Sequence, residues 1–335
     1  MSMLTWFRGV IAVLLFTTIA SQAQWVAFND HAPGVGTGPL TTTWNVENQP
    51  PGRVGPLTNA VAGALPAGAQ LPVTLTITIA GNVTFEGAQG NPSPGTPLYN
   101  VFNLFVDFTG TPNPSLALNG AGATVTYTFT GLDPSKRYNF KGSSVRAGGV
   151  LYTDRWTLFE LAGADAFSST HTANALTTAQ VPAILANQCA INTGINDTPT
   201  TGDYAGWDNI DPGPDGSFSV NSYQYLGTVP GGSSGGAKGY AMTGLRLEEF
   251  NLIPAAASIT NQPQSTTVGE LQPASFTVGA TGNPRPTYQW YKNNSPLTDA
   301  TNSTYAIAAA PLSDNGSPFK VVVRNVTNGV PNSVT

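Results

Sequence analysis

Residues 71–81, LPVTLTITIAG, alternate apolar and threonine side chains, with Val73, Leu75, Ile77 and Ile79 on one face and Thr74, Thr76 and Thr78 on the other. A period of two marks a strand with one face buried and one wet. Such a strand needs partners at its edges and a second apolar layer over its buried face. The chain offers several: WVAFND from Trp25, residues 125–130, VRAGGVLYTDRWTLFEL over 145–161, SFSVNSYQYLGTV from Ser217 and KGYAMTGLRLEEFNL from Lys238. YNVFNLFVDF, residues 99–108, reads as a further strand.

Between these runs lie turns. Charged residues make up only 9% of the chain, whereas Gly (37) and Pro (27) are abundant and Thr, Ser and Asn carry the polar surface. Threonine is β-branched and suits strands, while Gly, Pro and Asn supply turn geometries. The sequence therefore predicts an all-β protein with little helix. Only residues 172–188, with several alanines, offer a short helix, and Pro182 limits it. A chain of 335 residues has room for two such domains, each with its own core.

Residues 1–23 read as a secretory signal. Arg8 gives a weak positive start, GVIAVLLF is an uncharged apolar run, and Ser21 and Ala23 are small residues at the cleavage positions, so the mature chain is expected to start at Gln24. The apolar run is short of the ~20 residues that span a bilayer, and no span is predicted in the mature chain. The expected location is secreted or at the cell surface. A formal charge of −5 leaves no basic face for nucleic acid. The single cysteine, Cys189, cannot form an internal disulfide and reads as a small buried apolar residue.

GLDPSKRYNF, residues 131–140, carries Leu132, Pro134 and Tyr138 in an L-x-P-x-x-x-Y spacing. This resembles the tyrosine corner of fibronectin-like sandwiches, in which the hydroxyl bonds back to nearby backbone. The glycine-rich VPGGSSGGAKG, residues 229–239, contains G-x-S-x-G twice, over 231–235 and 232–236. A nucleophile elbow needs a strand running straight into a helix, and Pro230 with a following strand does not provide that, so the stretch reads as a hairpin loop.

At IPAAASITNQPQ, residues 253–264, small residues and prolines interrupt the alternation, which places a linker at 254–258 between domains spanning 24–253 and 259–335. The second segment carries ASFTVGATGNPRPTYQWYKNNSPL and STYAIAAAPLSDNGSPFKVVVRN. In order and spacing it resembles an immunoglobulin-like domain of the I-set type, with Trp290 as the core tryptophan. The resemblance implies that Val278 and Val321 stand where the family's usual disulfide would be, and that Phe319 replaces the tyrosine of the D-x-G-x-Y turn. It also implies that the last strand is incomplete at NSVT. More loosely, residues 25–252, through WDNIDPGPDGSFSVNSYQY and GYAMTGLRLEEF, resemble an uncharacterised β-sandwich module of secreted multidomain bacterial surface proteins. The combined expectation is a jelly-roll-like β-sandwich followed by an immunoglobulin-like β-sandwich.

Chemistry-bearing residues are few. WDNIDPGPDG, residues 207–216, gathers Asp208, Asp211 and Asp215. Its D-x-G-x-D-G echoes a calcium loop, although Gly213 stands at the third position and Ser222 at the twelfth; the alternative is a turn whose aspartates cap backbone amides. Calcium is thus the one cofactor to consider. Tyr152, Arg155, Trp156 and Trp207 have the aromatic and planar polar character that packs on sugar faces and bonds sugar hydroxyls, or else they fill the core. No catalytic residue is assigned. The sequence supports a secreted, non-catalytic surface or matrix protein that binds polysaccharide or a cell-surface protein. The alternative is a glycan-active hydrolase or lyase using Asp208, Asp211 or Glu248.

Overall fold

Threonine alternation builds the strand that the sequence predicts. In β4 (Gln70–Ala80) the side chains of Val73, Leu75 and Ile77 are buried while the threonines between them are partly or fully exposed. The computed structural model describes residues 23–30, 41–43, 55–62, 64–86, 90–102, 105–108, 115–146, 152–232, 238–250, 254–283, 285–327 and 330–335. The signal segment as far as residue 22, and 233–237 of the glycine loop, lie outside the described residues. Nearly all regular structure is strand. No helix among the described residues is long and apolar enough to cross a membrane.

The other strands of the first unit are β1 (Ala23–Asp30), β2 (Thr42–Thr43), β3 (Gly55–Thr58), β5 (Val83–Glu86), β6 (Ser115–Leu118), β7 (Thr124–Thr130) and β8 (Arg137–Ser143). They are followed by β9 (Trp156–Ala162), β10 (Ala166–Ser169), β11 (Gln188–Asn192), β12 (Ala205–Asp211), β13 (Phe218–Gln224), β14 (Gly239–Tyr240) and β15 (Gly244–Phe250). Two six-stranded sheets result, ordered β10-β12-β8-β15-β1-β2 and β11-β9-β13-β7-β4-β3, with a small third sheet β14-β6-β5. Within them β1-β15-β8-β12 and β7-β13-β9-β11 follow the jelly-roll order, the first described strand pairing antiparallel with the unit's last. Trp25, Tyr127, Phe129, Phe140, Phe159, Trp207, Phe218 and Leu247 fill the space between the sheets. Aromatics of this size are what a sandwich core about 10 Å thick requires. Cys189 is buried there as a free thiol on β11.

Tyr138 closes its corner. Its hydroxyl accepts from the Asp133 N–H at 2.7 Å and donates toward Glu249 Oε2 at 3.1 Å, which pins the entry to β8.

Two local expectations are corrected. Among the described residues of 99–108 there is no strand: a one-turn helix, α1 (Pro97–Phe102), occupies the start of that run. Pro97 suits the first helical turn, and Thr96 caps it, its Oγ1 accepting from Tyr99 N–H at 3.4 Å and its carbonyl from Asn100 N–H at 3.0 Å. Leu98 and Phe102, one turn apart, are both buried. Conversely, residues 172–187 form turns rather than a helix. Side-chain bonds compete there: Gln180 Oε1 takes both the Thr177 N–H and its hydroxyl, and Leu176 bridges to Ala190 across to β11.

The second unit contains β16 (Ala255–Asn261), β17 (Ala274–Thr277), β18 (Gly279–Asn283), β19 (Thr287–Lys292), β20 (Ser295–Pro296), β21 (Thr304–Ile307), β22 (Phe319–Thr327) and β23 (Val330–Val334). The run through β17 and β18 pairs first with β21 and then with β16, opposite the sheet β20-β19-β22-β23. Trp290 is fully buried against Val278, Val321 and Val323, and its Nε1 donates to Asn302 O at 2.9 Å. Phe319 stacks on Phe276 at 4.9 Å. One detail departs from the sequence expectation: residues 255–258, within the expected linker, are strand. β23 pairs with β22 over Val330–Val334.

Candidate functional site

Of the residues singled out for ligand contact, Tyr152 and Arg155 sit together on the turn that leads into β9. Thr193, just past β11, fixes that turn from beneath: its N–H donates to Arg155 O at 2.9 Å, and its carbonyl accepts from Arg146 N–H at 3.0 Å. One backbone unit thus sets the spacing of two arginines. Gly194 lets the turn approach, since a Cβ there would lie 2.3 Å from Tyr152 O and 2.6 Å from Arg155 Cβ. Asn192 Nδ2 and Trp156 Nε1 both donate to Thr153 O, at 2.7 and 3.2 Å.

Both guanidinium groups lie over the Tyr152 ring, Arg155 at 5.4 Å and Arg146 at 5.5 Å from its centroid, and Arg146 also reaches the Tyr240 ring at 5.8 Å. Attraction to the ring face holds these cations beside Tyr152. Beside them stands Glu86. The small sheet delivers it, because β6 places Glu86 opposite Ser115 on one side and Tyr240 opposite Ala117 on the other. Glu86 pairs with Lys238, accepts from the Tyr240 hydroxyl at 3.1 Å and lies 3.8 Å from Arg146 Nε. Burial by itself would raise the Glu86 carboxyl, but the Lys238 bond and charge, the Tyr240 hydroxyl and Arg146 together hold it below its ordinary value. The Tyr240 phenol is pushed up to about 12, by burial first and then by the Glu86 charge.

Three guanidinium nitrogens, Arg146 Nε and Arg155 Nε and Nη1, are buried with no hydrogen-bond partner among the described residues. Asp154 is 3.5 Å from Arg155 Nε and forms an ion pair without a hydrogen bond. Donors of this kind normally find acceptors. The arrangement is suited to binding an acceptor-rich ligand beside an aromatic ring. Arg146, Glu86, Lys238 and Tyr240 carry no local sequence signal for this role; the Thr193 bridge holds Arg146 there, and the β5-β6-β14 pairing brings Glu86 and Tyr240.

Trp156 is half-buried and packs on a satellite core with Leu158 and Tyr225. Trp207 must be removed from the ligand-contact set: it is fully buried, 6.1 Å from Phe140 and edge-on to His171 at 5.1 Å. Its position on β12 points it between the sheets, since its β8 partner is Phe140.

Of the aspartates of residues 207–216, Asp211 and Asp215 are held by protein partners. Asp211, 3% exposed, accepts Gly213 N–H on Oδ1 at 3.1 Å, while its Oδ2 meets Arg137 at 2.7 Å and Arg285 of the C-terminal unit. Asp215 caps Ser217 through the amide at 3.3 Å and the hydroxyl at 3.0 Å. This is the turn-capping arrangement, and among the described residues no three His, Cys, Asp or Glu side chains form a metal-holding group. Asp208 lies with Glu248, Lys141 and Arg246 within charge range. Burial raises its carboxyl, with Glu248 adding to the rise and Lys141 opposing it. Glu248 accepts Asn139 Nδ2 at 2.7 Å and pairs with Arg246.

His171 accepts the Gly206 N–H on Nδ1 at 3.1 Å, and burial lowers its imidazole to about 4. In the unfolded chain it titrates near ~6.5, so protons favour unfolding below that pH. The neutral ring's contribution is complete above ~6.5 and is lost as pH falls toward about 4, at a cost of roughly 3 kcal/mol. Urea midpoints at neutral pH and at the lower end of that window are expected to differ markedly less in a His171→Asn variant, whose Oδ1 can still accept from Gly206. An equal drop in both proteins would exclude His171 as the source.

No curated protein matches the chain. Residues 258–325 match the family model of the immunoglobulin domain, and with the strand order and the Trp290 core above, the C-terminal unit is an immunoglobulin-like β-sandwich.

Proposed function

We propose that this is an exported surface or matrix protein whose jelly-roll sandwich binds polysaccharide, with the immunoglobulin-like domain as a spacer. The observation that carries the reading is the preorganised turn: an aromatic ring, Tyr152, held beside two guanidinium groups that retain unpaired donors. Sugars offer what such a site takes, a C–H face for the ring and hydroxyl oxygens for the donors. A cell-surface protein is the other partner class that an immunoglobulin-like neighbour fits. The signal-like residues 1–23 support export.

Affinity electrophoresis in gels containing different polysaccharides tests this. Retardation by at least one polymer, lost in a folded Tyr152→Ala variant, is the expected result; migration unaffected by every polymer would end the reading.

A second reading, a glycan-active hydrolase or lyase, is favoured by one feature. Asp208 has a raised carboxyl with a buried, unpartnered Oδ1, and Glu248 lies within charge range of it. Glycosidic cleavage uses a pair of carboxyl groups flanking the scissile bond.

A further inference from the structure

We propose that Arg146 and Arg155 make this site selective for anionic polysaccharide, a polymer whose sugar rings carry carboxylate or sulfate groups. The proposal rests on the polysaccharide reading above and narrows it to a ligand class.

Charge around the turn supports it first. The chain as a whole is acidic, with 18 Asp and Glu against 13 Lys and Arg. At this site Arg146, Arg155 and Lys238 face only Glu86 and Asp154 in the ion pairs formed among the described residues. Glu86 is shared by two of the cations, and the Tyr240 hydroxyl bonds to it as well. The surplus positive charge falls on the two arginines over Tyr152.

Preorganisation supports it second. The backbones of both arginines bond to the same residue, Thr193, and both guanidinium groups lie within 5.5 Å of the centre of one ring, so protein contacts hold both side chains beside Tyr152 before any ligand arrives. A guanidinium presents a planar fork of donors that matches a carboxylate or sulfate edge, and charge-assisted bonds of this kind are about twice as strong as neutral ones. Two like-charged groups held beside one ring repel each other. An anion seated against them relieves that repulsion and takes up donor capacity that the protein leaves unused. A neutral sugar hydroxyl would do only the second.

The test compares polymers that share a sugar and differ in charge: polygalacturonate against its methyl ester, and dextran sulfate against dextran, titrated into the intact chain by calorimetry. The first pair reports carboxylate recognition and the second sulfate. Binding to at least one charged member about tenfold or more tighter than to its neutral counterpart is expected, with the preference shrinking as salt rises. Arg155→Gln and Arg146→Gln, checked for folding by circular dichroism, should each lose about tenfold or more toward the charged polymer and less toward the neutral one, so that the charged-to-neutral preference falls. Arg155→Lys should retain part of the preference.

Equal affinity for charged and neutral members would overturn the proposal while leaving polysaccharide binding intact. So would folded arginine variants that keep the full preference. Binding to none of the four polymers, in a protein that other polysaccharides do retard, overturns the anionic class alone; retardation by no polysaccharide removes the underlying reading too. The charged-to-neutral comparison on the native chain decides the matter even if both glutamine variants fail to fold.

Discussion

Replacing Trp290 with alanine is expected to unfold the C-terminal domain while the jelly-roll sandwich still melts cooperatively. The indole is fully buried, its Nε1 bonded to Asn302 O, with the Phe276 and Tyr305 rings centred 6.2 and 6.1 Å away. Deleting a buried tryptophan costs about 3–5 kcal/mol, close to the whole stability of a small domain. No disulfide crosses this core, because Val278 and Val321 pack against the ring instead. Nothing covalent would therefore hold the sheets together after the loss. Calorimetry should show the domain's transition disappear in Trp290→Ala. In Trp290→Phe it should shift by only part of that amount, since most of the apolar surface survives. A normal transition in the alanine variant would mean that the core is organised elsewhere.

The second large effect is expected at Asp211. Its carboxylate is almost fully buried and answers Arg137 and Arg285 together, and Arg285 also meets Asp165 at 2.6 Å. Removing one partner of a buried pair leaves the other charged and poorly solvated, at about 3–5 kcal/mol. Asp211→Ala should therefore destabilise the jelly roll through Arg137 and also release the immunoglobulin-like domain through Arg285. Arg285→Ala should do only the second, because that side chain is 41% exposed and its loss leaves the Arg137 to Asp211 pair in place. Small-angle scattering separates the two effects from stability: both variants are expected to broaden the distance distribution, but only Asp211→Ala should lower the first unit's melting temperature by several degrees. Unchanged scattering in both would show that Arg285 does not hold the domains together.

What was legible in the sequence follows from how local each cause is. The alternation in β4 is written in consecutive residues, so Val73, Leu75 and Ile77 could be placed on the core face directly. Trp290, Val278 and Val321 were legible through order and spacing, and Tyr138 through its turn. The helix at Pro97–Phe102 was missed because its aromatic residues mimic strand composition, and a single capped turn gives too short a period to stand out. At the site, Tyr152 and Arg155 are neighbours in sequence. Arg146 lies only a few residues upstream, but its contact with the Tyr152 ring depends on the Thr193 bridge, and Glu86 and Tyr240 reach the site through β6 pairing, across separations that no window can span. Trp207 was misplaced for the opposite reason, since an aromatic beside an aspartate looks the same in sequence whether its strand turns it outward or inward.

The central claim is that the jelly-roll unit holds a sugar polymer without cleaving it. The direct measurement is to incubate the purified chain with each polysaccharide that retards it, and to follow new reducing ends and the absorbance of unsaturated products over many hours. Stable binding with neither signal rising is the predicted outcome, for the native chain and for Asp208→Ala and Glu248→Ala alike. Product formation by the native chain that disappears in either carboxylate variant would contradict it and establish the hydrolase or lyase in its place.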